Sequence, residues 1–89
     1  MLKQNITIIN KLGLHARAAA KLVAYASRYG SEIFLYTDTK KVNAKSILGV
    51  MMLGAKQGTQ LEITAEGEDE AQALEVVVKL INNRFGEEE

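Results

Sequence analysis

The sequence predicts an α+β domain: a four-stranded antiparallel sheet with three helices on one face, in the order β-α-β-β-α-β-α. Three observations carry this. Apolar residues alternate with a period of two over residues 2–8 and 60–66, the pattern of strands with one wet side. They recur at helical spacing over residues 16–29 and again over residues 71–85, the pattern of helices with one buried face. At 89 residues and 47% apolar side chains, the chain suits a single domain, residues 1–89, around one core.

In the first strand Leu2, Ile6 and Ile8 share a face, with Gln4 the one polar residue among them. Residues 10–13 break the alternation. Ala19, Leu22, Val23 and Ala26 then form a helical stripe that Arg17, Lys21 and Arg28 avoid, and Gly30 is a plausible stop. Residues 32–37 (EIFLYT) are rich in β-branched and aromatic side chains, and residues 40–43 read as their hairpin partner. Ser46 precedes an apolar run, SILGVMML, which reads as a short capped helix weakened by Gly49. Residues 60–66 turn Leu61, Ile63 and Ala65 inward. Asp69 with Gln72 resembles a capping box, and Ala71, Leu74, Val78, Ile81 and Phe85 form the last stripe. Residues 86–89 are expected to be a disordered tail.

Composition excludes several classes. There is no cysteine, hence no disulfide framework and no cysteine zinc site. No stretch approaches the roughly 20 apolar residues of a membrane span, and the first dozen residues hold no long apolar segment. A chain this short buries only about 60–65% of its unfolded surface, which leaves little for a deep cavity. The expectation is a small soluble cytoplasmic domain. Net charge is zero but uneven: residues 1–58 carry net plus seven and residues 59–89 net minus seven. Either one surface attracts anions or acidic proteins, or the two halves attract each other across the fold.

The most informative stretch is KLGLHAR, residues 11–17. His15, the only histidine, stands where a loop ends and the first helix begins. A helix start offers unpaired backbone N–H groups and a positive dipole end, which favour an anion. Arg17 can add a bidentate phosphate contact. A neutral imidazole placed there can accept a phosphoryl group, and the helix end disfavours the imidazolium by about 0.3–1 kcal/mol. From spacing alone, a capping or surface role for this histidine is the simpler reading. Metal binding is poorer, since no second His or Cys exists to complete a site.

GLHARAAAKL resembles the active-site signature of the HPr family, the histidine-containing phosphocarriers of the bacterial sugar phosphotransferase system. AKSILGVMMLGAKQG resembles the family's second signature, around its regulatory serine, and EITAEGEDEAQAL resembles its last strand and final helix. The resemblance implies an open-faced β-sandwich of four antiparallel strands and three helices. It implies a carrier rather than an independent enzyme: enzyme I phosphorylates His15 on Nδ1, His15 passes the group to an enzyme IIA, and Arg17 balances the phosphoryl charge. No cofactor or metal is implied, and no nucleic acid or membrane insertion; a monomer is the default.

Ser46 matches the residue modified by HPr kinase/phosphorylase, and it also suits a plain helix cap. Ile47, Leu48, Met51 and Met52 are too many apolar side chains for one short helix to bury, so some are expected in the core. The rest, with Ala16 and Ala20, would form an apolar docking patch for enzyme I and enzyme IIA, ringed by Arg17, Lys21 and Lys45. Methionines suit a surface that binds several partners in turn. Ala18 stands where many members carry proline, which removes preorganisation worth roughly 0.4–1 kcal/mol and leaves open a nitrogen-branch carrier that relays phosphate to a regulatory enzyme IIA. A small nucleic-acid- or ligand-binding α/β domain is the alternative of a different class. The basic first half allows it, but the only strand aromatics are Phe34 and Tyr36, without an RNA-recognition motif around them.

Overall fold

The computed structural model describes residues 1–89. Its strands are β1 (Leu2–Thr7), β2 (Glu32–Tyr36), β3 (Lys41–Asn43) and β4 (Gln60–Glu66). Its helices are α1 (Ala16–Ala26), α2 (Ile47–Met52) and α3 (Glu70–Asn82), followed by a 3₁₀ turn at Arg84–Gly86. The sheet order is β1-β4-β2-β3 and every pairing is antiparallel.

Register turns the predicted alternation into two faces. Ile6 pairs with Leu61, Ile33 with Ala65 and Leu35 with Ile63, and all six are buried. On the outer face Tyr36 pairs with Glu62 and Lys41. Lys41 Nζ lies 4.5 Å from the Phe34 ring centre and 5.7 Å from that of Tyr36, so this side is polar and its aromatic rings are partly covered by a cation. The helices cover the inner face, where Ala18, Ala19, Leu22 and Ala26 of α1 meet Ala73, Leu74, Val77, Leu80 and Ile81 of α3 in one core.

Two local expectations are corrected. Asp69 does not close a capping box. Its side chain makes no cap bond and instead accepts from Gly30 N at 2.9 Å, Ser31 N at 3.0 Å and the Ser31 hydroxyl. These bonds tie the start of α3 to the turn before β2 and hold the Asp69 carboxyl below its ordinary value, the Ser31 hydroxyl contributing most. In α3, Ala71 is exposed and Val78 only half-buried. Because α3 lies against both α1 and the sheet, its buried stripe is broader than a single line of threes and fours.

The helix ends at Asn82, and Arg84, Phe85 and Gly86 all have positive φ (55°, 54° and 80°). Two non-glycine residues in the left-handed region persist only where their surroundings hold them there. Phe85 is buried in the core, and Lys21 Nζ donates to its carbonyl at 2.9 Å. The reversal sends residues 87–89 back across the start of α1. The structure places Glu87 against His15, and Glu89 receives a backbone bond from Lys11.

Candidate phosphoryl-acceptor site at the start of α1

The loop before α1 is set by a close approach. Gly13 has φ +66°, and a Cβ there would lie 2.6 Å from the Ala55 carbonyl oxygen and 2.7 Å from Lys56 Cα. The same carbonyl oxygen accepts from Leu14 N at 2.9 Å. The loop is also closed from within, since Gly13 N donates to the Asn10 carbonyl at 3.2 Å and Asn10 Nδ2 donates to the Gly13 carbonyl at 2.8 Å. His15 follows as the N-cap of α1, with extended backbone (φ −71°, ψ 176°).

The His15 ring does not cap the helix, since its side chain makes no cap hydrogen bond. Its carbonyl accepts from Ala19 N at 2.8 Å. By helix geometry the N–H groups of Ala16, Arg17 and Ala18 then lack an intrahelical partner. Nε2 of the ring is bonded to Glu87 Oε2, and Nδ1 makes no hydrogen bond. The side chain is 27% exposed, so the ring is both held and reachable. Arg17 is exposed and lines the same shallow cleft as Lys11, His15, Glu87, Glu88 and Glu89.

Glu87 bridges the site. Oε1 accepts from Asn10 Nδ2 at 3.0 Å while Oε2 faces the ring. Burial pushes its carboxyl up, but the hydrogen bonds from His15 and Asn10, with the positive charge of nearby Arg17, outweigh it and hold the group below its ordinary value. Asn10 is fully buried, and its Oδ1 is the one buried side-chain polar atom left without a partner. Neither residue stands out in the sequence. Asn10 follows Ile6 and Ile8 at the next inward-facing position of the alternation, and that was its only signal. Glu87 gave none, because its contact with His15 spans 72 residues.

The family model for the PTS HPr component phosphorylation site matches residues 2–83. The chain belongs to the HPr family. It is thereby a phosphocarrier of the phosphotransferase system. The phosphocarrier protein HPr of Neisseria meningitidis serogroup A is 52% identical over 89 residues, covering the whole of both chains. That of Pseudomonas aeruginosa is 55% identical over 85 residues, 94% of each chain. The crystal structure of HPr-C-His from Thermoanaerobacter tengcongensis superposes with a TM-score of 0.96 at 50% identity, over the whole of both chains. The open-faced HPr architecture predicted from sequence is therefore the observed one.

The other residues predicted for this HPr-family surface divide in two. Ala16 and Ala20 are exposed on α1. Ile47, Leu48, Met51 and Met52 are 47%, 69%, 42% and 63% exposed. None of the four enters the core, contrary to the expectation that some would; Val50 alone anchors α2. A six-residue helix crossing the rim of the core has only one side to bury. Lys21 and Lys45 are less free than expected, for Lys21 Nζ donates to Phe85 O at 2.9 Å and Lys45 Nζ to Tyr29 O at 2.7 Å. Ser46 is exposed and caps α2, its Oγ accepting from Gly49 N at 3.1 Å.

The opposite charges of the two halves meet at few points. Lys11 pairs with Glu89 at 3.6 Å and Met1 N with Glu70 at 3.4 Å. Arg17, Lys40, Lys45 and Lys56 pair with no carboxylate, so much of the basic half faces outward. No group of three or more His, Asp or Glu side chains is placed to hold a metal ion. No helix is long and apolar enough to cross a membrane.

Proposed function

We propose that His15 accepts a phosphoryl group on Nδ1 from phospho-enzyme I and passes it to an enzyme IIA of the sugar phosphotransferase system. One observation carries this reading: the ring stands at the N-cap of α1 with Nδ1 unbonded, beside the unpaired N–H groups of the first turn and the exposed Arg17. The helix start and the guanidinium meet the phosphoryl charge, which is the electrostatic support that phosphoryl transfer needs. The chain acts as a carrier in a relay among cytoplasmic proteins, as a monomer and without a cofactor. Enzyme I and enzyme IIA dock on Ala16, Ala20, Ile47, Leu48 and Met51, with Arg17, Lys21 and Lys45 at the rim. The exposure of these apolar groups supports that surface.

Ser46 is the regulatory site, modified by HPr kinase/phosphorylase. Its hydroxyl is exposed at the start of α2, next to Ile47. A phosphate there adds negative charge to the face that receives enzyme I and slows phosphorylation of His15.

The test mixes the chain with enzyme I and phosphoenolpyruvate and follows phosphate by intact mass and ³¹P NMR, alongside His15→Ala. An acid-labile phosphoramidate absent from the variant is the expected result. No transfer to the folded wild type, with a standard carrier active in the same tube, refutes it.

A further inference from the structure

Glu87 reaches the site from a part of the chain no motif covers, and it uses both carboxylate oxygens. Oε1 is held by Asn10 Nδ2, a fully buried amide that also fixes the Gly13 carbonyl. Oε2 meets His15 Nε2. The carboxylate is therefore anchored to the same loop that carries the histidine. The backbone supports this reach, with Glu87 N donating to Arg84 O at 2.8 Å and Lys11 N donating to Glu89 O.

An ionised carboxylate can only accept hydrogen bonds, so the ring nitrogen facing it carries the proton. The carboxyl of Glu87 is held below its ordinary value and is ionised at neutral pH. A neutral imidazole with hydrogen on Nε2 has its lone pair on Nδ1, the nitrogen that makes no hydrogen bond here. The other charged groups around the ring are Arg17 from α1, Lys11 from the preceding loop, and Glu88 and Glu89 from the tail. None of these is hydrogen-bonded to the ring.

We propose that Glu87 is a positioning residue that fixes His15 as the Nε2–H tautomer and so directs the incoming phosphoryl group to Nδ1. This rests on the reading of His15 as the phosphoryl acceptor. In the transfer, the Nδ1 lone pair forms the N–P bond while the bond from phosphorus to the donor atom breaks and its electron pair leaves with the donor. The proton stays on Nε2. The ring gains one positive charge, which the Glu87 carboxylate balances without moving.

The experiment needs no partner protein. Full-length wild type and Glu87→Gln, ¹⁵N-labelled at histidine, are phosphorylated with phosphoramidate at neutral pH, and the isomer formed is read by ³¹P and long-range ¹H–¹⁵N NMR. Wild type takes the group on Nδ1. The glutamine amide can serve either tautomer, so the ratio of Nδ1 to Nε2 product falls about tenfold, the step between a charged and a neutral hydrogen bond. Before phosphorylation the same label finds a protected Nε2–H in wild type and its loss in the variant. Glu87 lies outside the helices and the core cluster, so both chains fold. An unchanged isomer ratio, or a wild-type neutral ring protonated on Nδ1, overturns the proposal. So does a variant phosphorylated faster than wild type at the same ratio, for the tail would then be a blocking strap. Nδ1 product from phosphoramidate with none from enzyme I overturns the relay and leaves the role of Glu87 supported.

Discussion

A single methyl group at Gly13 tests how the fold presents its histidine, and Gly54 supplies the control. Both glycines have φ +66°. A Cβ at Gly54 would meet nothing within 4 Å, whereas one at Gly13 would lie 2.6 Å from Ala55 O and 2.7 Å from Lys56 Cα. The left-handed conformation costs an alanine about 1–2 kcal/mol, and loss of unfolded-state freedom returns roughly 0.4–1 kcal/mol. Gly54→Ala is therefore expected to lose about 1 kcal/mol, a Tm drop of about 4–8 °C for a domain of this size. Gly13→Ala carries the same cost plus overpacking against backbone that cannot rotate away, about 1–3 kcal/mol more. Its total of about 2–4 kcal/mol corresponds to a Tm drop of roughly 8–30 °C. Thermal denaturation followed by circular dichroism decides the matter. Equal losses at the two positions would refute the steric reasoning, because only the contacts with Ala55 and Lys56 distinguish them.

Leu35 is fully buried on β2 between Val42 and Ile63, so Leu35→Ala is expected to cost about 2–5 kcal/mol by urea unfolding. Ser46→Ala removes the bond to Gly49 N and is expected to cost about 1 kcal/mol; Ser46→Asp keeps a cap and is expected to slow phosphorylation by enzyme I, with equal rates arguing against regulation at this position. Asp69 has its folded pKa below the ordinary 3.8, so its contribution to stability is full above that value and is lost as pH falls through the lowered one. Asp69→Asn should flatten that acid limb of a stability–pH profile, and an unchanged limb would remove Asp69 as its source.

Alternation over residues 2–8 and 60–66 made β1 and β4 legible, while β2 and β3 were legible from β-branched and aromatic composition and the turn between them. β4 was read to the residue, Gln60–Glu66. His15 was legible as a helix start, and Ser46 as a cap, because both roles are settled within four residues of chain. Where local signals compete with distant partners, the sequence misleads. Asp69 had the position of a cap, yet the Gly30 and Ser31 amides, 39 and 38 residues away, took its carboxylate. The methionine-bearing helix was expected to share its apolar side chains with the core, but its place at the rim left room for Val50 alone.

The amino-acid sequence by itself determined the order of the elements, the two faces of the sheet and the histidine at the mouth of the first helix. Those follow from periodicity and helix-end chemistry, which act over a few residues. Only the tertiary structure decided what the histidine touches. Burial of Phe85 fixes three consecutive residues at positive φ and turns the chain back, and that reversal brings Glu87 to Asn10 and His15. A contact made across 72 residues leaves no period in the sequence, because it depends on the packing of the whole core rather than on any neighbour along the chain.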